Sequence, residues 1–264
     1  MIYLKTEDEI EALRKANQLV AATLAEIAKI VQPGVTTREM DTLAEHFIRD
    51  NGAVPSFKGC PNPFGPAFPA SICTSVNDTI VHGIPDDKPL KNGDIVSVDC
   101  GVLLEGFCGD SCYTFCVGEV KAENKKLLSV TKESLYKGIE QAIVGNRLGD
   151  IGCAVQHHVQ QYGYGVVRQY AGHGIGKKMH EDPMVPNYGT AGTGLAISNG
   201  LCIAIEPMIT EGKASSYLLP DRWSVKTRDG KSAAHYEHTI AIHHGKADIL
   251  SSFEEVEQIE RTKH

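Results

Sequence analysis

The stretch GDIVSVDCGVLLEGFCGD, residues 93–110, decides how the middle of this chain folds. It predicts a buried strand that ends on Asp99, a turn, and a second strand that brings Asp110 back past the first. A turn centred on Leu104-Glu105 would pair the two aspartates directly. A turn centred on Glu105-Gly106 would offset them by one diagonal step on the same face. Both alternatives place two carboxylates together beside apolar residues.

Two like charges next to apolar strands are costly unless one is protonated or a cation lies between them. Carboxylate oxygens are ligands that suit divalent metal ions. The hairpin therefore suggests a metal site that includes Asp99 and Asp110. An ordinary exposed hairpin with two solvated aspartates is the alternative, and the hairpin alone does not decide between them.

The composition is that of a soluble globular protein. The chain has 264 residues, 42% apolar and 22% charged, with a net charge of −7, which disfavours nucleic acid and anionic membranes as partners. The charged N-terminus predicts no signal peptide, and no apolar run is long enough to span a membrane. Eight cysteines without a CxxC pair indicate reduced thiols in a cytoplasmic protein rather than a structural zinc site.

A pattern of two helices joined by a turn occurs twice along the chain. Capping boxes at Thr6 and Thr36 predict two helices, the first ending near Val31. Residues 31–52 and 143–163 match weakly, at an offset of about 112 residues. The repeat suggests two similar α+β halves that close one antiparallel sheet, with a site between them.

The segment between the second helix and the hairpin has two parts. Residues 54–69 are rich in proline and glycine, which predicts a long irregular loop. Residues 71–80 predict one strand.

Three more polar residues stand inside apolar stretches of the second half. His173 lies in AGHGIG, Glu206 in LCIAIEP and Glu237 in YEHTIAI. A histidine among glycines is more often structural than a ligand, but buried glutamates are rare unless they are paired or bind metal. Together with Asp99 and Asp110 they predict a cage for two metal ions.

With VHGIP around His82 and MHEDP around His180 added, these motifs resemble those of the type I methionine aminopeptidases, in peptidase family M24. The resemblance extends from about Thr6 to Ile249. It implies the α+β pita-bread fold, in which two pseudo-twofold halves form a central antiparallel sheet covered by helices. It also implies that residues 1–264 form a single catalytic domain.

The resemblance assigns the metal ligands. Asp99 would bind one ion, His173 and Glu206 the other, and Asp110 and Glu237 would bridge them. The expected cofactor is two divalent ions, which the sequence does not identify among cobalt, manganese, iron and zinc. Such a pair lowers the pKa of a shared water, so that hydroxide attacks the first peptide bond.

The catalytic side chains implied by the resemblance are Glu206, His82 and His180. Glu206 would pass the water's proton towards the leaving nitrogen, while His82 contacts the scissile nitrogen and His180 the carbonyl oxygen. The pocket for the first side chain would be formed by Phe68, Cys73, Met179 and Trp223. Two departures from the family touch this pocket: Met179 replaces an aromatic residue, and the 60–69 loop is longer and richer in proline.

The implied activity is removal of the initiator methionine from nascent proteins whose second residue is small. The expected protein is a cytoplasmic monomer that acts on nascent N-termini, with at most a transient ribosome contact. One alternative is an Xaa-Pro aminopeptidase or dipeptidase of the same fold. Those enzymes have a large extra N-terminal domain, for which the roughly ninety residues before the hairpin are too few. The other alternative is a non-catalytic binding relative, which would lack metal ligands.

Overall fold

The computed structural model describes residues 2–263. The helices in this range are α1 (Glu7–Ile30), α2 (Thr37–Asp50), α3 (Ala122–Glu140), α4 (Leu148–Gln160) and α5 (Glu254–Lys263). The strands in the first half of this range are β1 (Val54–Pro55), β2 (Ile72–Val76), β3 (Thr79–Val81), β4 (Ile95–Leu104) and β5 (Phe107–Cys116). The strands in the second half are β6 (Gly165–Val166), β7 (Gly172–Gly174), β8 (Glu181–Val185), β9 (Cys202–Ile205), β10 (Met208–Thr210), β11 (Ser216–Leu218), β12 (Val225–Thr227), β13 (Ala233–His235), β14 (Glu237–His243) and β15 (Lys246–Ile249).

Both predicted capping boxes are confirmed. The Thr6 side chain accepts a hydrogen bond from the backbone N–H of Glu9, whose carboxylate accepts one from the N–H of Thr6. Thr36 and Glu39 repeat this arrangement at the start of α2. Each box satisfies backbone donors that the first helical turn leaves without partners.

The β4–β5 hairpin is the centre of a nine-stranded antiparallel sheet. The main strand order is β1-β4-β5-β14-β9-β7-β8, with β2 also paired to β4 and β15 to β14. The turn is Glu105-Gly106, where both residues have positive φ, as the tightest hairpin turns require. Asp99 therefore faces Cys112 across the ladder and Gly101 faces Asp110. This is the diagonal alternative, with both aspartates on one face.

The prediction of one strand over residues 71–80 was wrong. The chain turns at Asn77, which has a φ of 52°, and the two parts join different sheets. Strand β2 pairs with β4, whereas β3 pairs with β12 in a separate three-stranded sheet. The Asn77 side chain fixes this break because it donates to Asp94 and accepts from the N–H of Ile95.

Four of the five helices described cover the sheet in two pairs, as the repeat suggested, and α5 packs on α1. Helix α1 packs on α2, β4 and β5, and α3 packs on α4. The largest apolar cluster includes side chains from both pairs of helices and from the nine-stranded sheet. The α+β prediction is confirmed. In the part of the chain that the structure describes, no helix has the length and apolarity needed to cross a membrane.

Candidate metal centre

The five predicted metal ligands line one cavity of about 80 Å³ in the centre of the sheet. Asp99 and Asp110 project from the central hairpin, and Glu237 begins β14, where it pairs with Cys112. His173 lies on β7, and Glu206 directly follows β9. Residues far apart in the sequence therefore converge because their strands are neighbours in one sheet.

The ligand atoms are close enough to share a cation. His173 Nε2 is 3.6 Å from Asp110 Oδ2 and 3.6 Å from Glu206 Oε1. Asp110, His173 and Glu237 each offer an atom within 4.8 Å of the other two. The tightest cluster thus combines two carboxylates with one imidazole, which is a common donor set for transition metals.

Three buried carboxylate oxygens support a metal at this place. Asp99 Oδ1, Asp110 Oδ1 and Glu237 Oε1 accept no hydrogen bond from the described residues. A buried carboxylate without a partner is costly, so groups of this kind are normally paired or bound to metal. The residues therefore fit a divalent cation.

The pKa values of the carboxyl groups also indicate that the cavity suits a cation. Burial, reinforced by the charge of Asp110, raises the pKa of Asp99 and of Glu237 well above the ordinary range. Burial also raises the pKa of Glu206 to about 8. Without a compensating positive charge, the cavity cannot hold all its carboxylates ionised.

The His173 ring is oriented for the cluster. Its Nδ1 donates to the backbone oxygen of Gly174 at 2.9 Å, which directs Nε2 towards the carboxylates. Burial lowers its pKa, but the nearby carboxylates of Asp110 and Glu206 outweigh burial and raise the pKa to about 9. The cavity thus favours a positive charge at Nε2, which a coordinated cation would supply.

The glycines beside His173 have a packing role. A Cβ on Gly172 would lie 2.2 Å from the backbone oxygen of Ala204, and one on Gly174 would lie 2.1 Å from that of Asp182. Side chains at these positions would force β7 away from its neighbours β9 and β8. The glycines therefore let His173 reach the cavity.

His82 and His180 line the same cavity beside the five predicted metal ligands. Burial, and to a smaller extent His180, lowers the pKa of His82 to about 4. The pKa of His180 is also lowered, by burial and by the positive charge of His173, whose ring centroid is 4.4 Å away. Both rings are neutral near pH 7. His82 has a φ of 56°, a conformation that non-glycine residues adopt at a cost and often at functional sites.

An apolar wall completes the cavity. Three of the four predicted pocket residues line it, namely Phe68, Cys73 and Trp223. The wall also includes Phe57 and Cys60, which the sequence analysis did not single out. Met179 is not among the lining residues. Its terminal methyl group instead packs with the Phe57 ring over Gly101, where an added Cβ would lie 2.6 to 2.9 Å from both.

The sequence analysis also missed His235, a buried residue whose Nε2 is 3.9 Å from both Glu206 Oε2 and Glu237 Oε2. Burial lowers its pKa to about 3, so the ring is neutral. A polar residue two positions before Glu237 on an extended segment was the available signal, because alternate residues share a face.

The comparisons with known proteins agree with this geometry. Residues 11–244 match the pattern of metallopeptidase family M24. The chain belongs to metallopeptidase family M24. This family consists of metallopeptidases, in agreement with the fit of the cavity to a divalent cation.

The resemblance to methionine aminopeptidases is confirmed by individual relatives. The methionine aminopeptidase of Clostridium acetobutylicum is 50% identical over 252 residues, which cover 95% of this chain and 99% of the relative. The solved structure of the methionine aminopeptidase from Rickettsia prowazekii superposes with a TM-score of 0.91 at 43% identity, covering 96% of this chain and all of that one.

The M24 pita-bread fold extends to more distant proteins. The prolidase from Pyrococcus horikoshii superposes with a TM-score of 0.73 at 23% identity, and the match covers 94% of this chain but 63% of that one. This likeness shows the fold alone. The predicted pita-bread fold is confirmed.

Proposed function

We propose that this protein is a metal-dependent methionine aminopeptidase, which removes the initiator methionine when the second residue is small. The observation that supports this function best is one cavity in which five metal-ligand side chains, two neutral histidines and an apolar wall meet. The 50% identity to a methionine aminopeptidase over nearly the whole chain agrees with it. No feature of the cavity favours the Xaa-Pro alternative.

The ligand set would be Asp99, Asp110, His173, Glu206 and Glu237, with Asp110 and Glu237 in the bridging positions. We propose two divalent ions, of cobalt, manganese, iron or zinc. Bound there, they would polarise the scissile carbonyl group and supply hydroxide near neutral pH. The side chains around them would bind the substrate and move the protons.

Glu206 is proposed to transfer the proton. Its pKa of about 8 in the metal-free cavity shows that burial favours the protonated carboxyl, while positive charge beside it favours the carboxylate. A group balanced in this way can take a proton from the attacking water and release it to the leaving amine nitrogen.

The neutral histidines are proposed to position the peptide bond. His180 is exposed beside His173, where its N–H can donate to the carbonyl oxygen as negative charge develops. His82 would hydrogen-bond the scissile nitrogen. Because both rings line the same small cavity, a bulky second residue would crowd them.

The methionine side chain would occupy the apolar wall. Phe68 and Trp223 meet edge to face, with ring centroids 5.1 Å apart, and Cys60 and Cys73 add sulfur atoms. A flexible thioether packs well against aromatic rings and sulfur. Met179 would influence the pocket through Phe57 rather than by direct contact.

The remaining proposals concern the cellular context. We propose that residues 1–264 form one catalytic domain, which acts as a monomer in the cytoplasm on nascent polypeptide N-termini and contacts the ribosome at most transiently. All eight cysteines are free thiols, in agreement with a reducing compartment.

A peptide assay tests the proposed function. We expect methionine release from Met-Gly-Met, much slower release from Met-Arg-Met, and no cleavage of an Xaa-Pro dipeptide. Chelation should abolish the release and added divalent metal should restore it. Cleavage of the Xaa-Pro dipeptide at a comparable rate, or release that survives chelation, would contradict the proposal.

A further inference from the structure

A short loop beside the apolar wall is held closed at its base. Residues 61–67, called the 61–67 loop below, lie between Cys60 and Phe68. The N–H of Gly59 donates to the backbone oxygen of Phe68 at 2.8 Å, and the N–H of Phe68 donates to that of Cys60 at 2.9 Å. The two ends of the loop are therefore fixed next to two residues that line the cavity.

The tip of this loop is fixed to a distant part of the chain. Residues 219–224, called the 219–224 turn below, lie 160 positions further on. Asn62 Nδ2 donates to the backbone oxygen of Arg222 at 2.9 Å. The indole Nε1 of Trp223 donates to the backbone oxygen of Pro66 at 2.8 Å. Two hydrogen bonds thus join two segments that are otherwise irregular.

Close packing accompanies these hydrogen bonds. A Cβ on Gly65 would lie 2.7 Å from the Cβ of Arg222 and 3.0 Å from its Cγ, so the absence of a side chain at Gly65 lets the segments approach. Arg222 itself has a φ of 67°, which orients the turn towards the loop. Asp221 Oδ1 accepts from the N–H groups of Trp223 and Ser224.

The result of these contacts is a fixed orientation of the Trp223 ring. An indole has one donor, its N–H, and Pro66 uses it. The ring then meets Phe68 at 5.1 Å and His82 at 6.2 Å, both edge to face. Trp223 therefore connects the apolar wall to one of the two substrate histidines.

We infer that the 61–67 loop determines substrate binding by holding the Trp223 ring in its place in the wall of the methionine pocket. Asn62 and Gly65 are the positioning residues. This inference rests on the proposed function and adds residues to it. Neither positioning residue lines the cavity, so both act through Trp223. Loss of the contacts that fix the Trp223 ring should weaken binding of the first side chain of the substrate while the metal ligands remain in place.

Trp223 is the only tryptophan in the chain, so its fluorescence reports its surroundings directly. Asn62→Asp keeps the Oδ1 that accepts from the N–H of Phe64 but removes the donor to Arg222. We expect its emission to shift to the red and acrylamide quenching to increase. Phe64→Ala is the matched control, because the Phe64 side chain is 83% exposed at the same loop tip. It should behave like the wild type.

Gly65→Ala, alone and combined with Arg222→Gly, makes the test specific. The added methyl group should separate the loop from the turn and reproduce the fluorescence of Asn62→Asp. Gly65→Ala combined with Arg222→Gly removes the clashing Cβ and also suits the positive φ. The double variant should recover the wild-type emission.

Measurements of L-methionine binding and of peptide turnover then test whether the position of Trp223 affects substrate binding. In Asn62→Asp and Gly65→Ala we expect L-methionine affinity, read from Trp223 emission, to fall about 2- to 10-fold, the effect of one neutral hydrogen bond. KM for Met-Gly-Met should rise by the same factor with kcat unchanged. Wild-type emission in both variants, or changed emission with unchanged L-methionine affinity, would overturn the inference. A wild type that binds L-methionine but cleaves no peptide would instead refute the proposed function alone.

Discussion

The backbone N–H of Asp110 donates a hydrogen bond to the side-chain oxygen of Asn17, 3.1 Å away. Strand β14 pairs with β5 only opposite Cys112 and Ser111, so the Asp110 peptide lies beyond that ladder. Its carbonyl oxygen accepts from the Thr239 hydroxyl instead, at 2.8 Å. Side chains from α1 and β14 therefore hold the backbone of a proposed bridging ligand.

We predict that Asn17→Leu weakens both the fold and the metal site. The substitution leaves a buried N–H without an acceptor, which should lower the free energy of unfolding by about 1–3 kcal/mol. Because Asp110 then loses one of its two fixed contacts, metal affinity should fall by about 10-fold or more. Isothermal titration with a divalent metal and chemical denaturation measure the two effects.

The control for Asn17→Leu is Thr23→Val, on the same helix. Thr23 is fully buried, but its hydroxyl donates only within the helix, to the backbone oxygen of Leu19. This variant should leave metal affinity unchanged. Equal metal affinities for wild type and Asn17→Leu would show that Asp110 does not depend on Asn17.

His180→Ala and His173→Ala should separate substrate contact from metal binding. His180 is expected to donate to the carbonyl oxygen only as charge develops there, so its loss should lower kcat by about 100- to 1000-fold with a similar KM. This variant should retain its metal. His173→Ala should lose metal first and activity as a consequence. Metal loss in His180→Ala, or a near-normal kcat, would reassign His180.

The raised pKa of Glu206 predicts a pH dependence of the metal-free protein. Its ordinary value is 4.5 and the folded value is about 8. Between these values the folded state keeps a proton that the unfolded chain has released, so this contribution to stability is lost as pH rises from about 4.5 to about 8. Glu206→Gln cannot titrate. It should gain stability relative to wild type between pH 5 and pH 8, measured by thermal unfolding with chelator present. The same difference in stability between Glu206→Gln and wild type at pH 5 and at pH 8 would contradict the raised pKa of Glu206.

The packing over Gly101 makes Met179 sensitive to size. Met179 and Phe57 already share the space above that glycine, so Met179→Phe should overpack it and cost about 1–3 kcal/mol. The double variant Met179→Phe with Phe57→Ala should recover part of this loss because it frees the space of one ring. Thermal unfolding of the two variants checks the prediction. A fully stable Met179→Phe single variant would mean that Phe57 moves without cost.

The features that the sequence predicted depend on local patterns. The capping boxes at Thr6 and Thr36 and the turn at Glu105-Gly106 involve neighbouring residues, and the motifs around the predicted metal ligands are short. Both turns that the hairpin sequence allows place Asp99 and Asp110 on one face.

The features that the sequence did not predict join distant residues without a local pattern. Asn17 reads as a polar position on a helix, yet it contacts Asp110 across 93 positions. Asn62 bonds the backbone of Arg222, and Trp223 bonds that of Pro66, across two irregular segments for which no periodicity sets a register. His235 stands two positions before Glu237, but its distance of 3.9 Å from both Glu206 and Glu237 follows from the packing of distant strands.

Metal content measured beside methionine release tests the central claim most directly. The comparison is between wild type and Asp110→Asn, which keeps the shape of the side chain but removes its charge. We predict that the wild type binds divalent metal and releases methionine from Met-Gly-Met, and that Asp110→Asn loses bound metal and activity together. An Asp110→Asn variant with normal metal content and a normal rate of release would contradict the account.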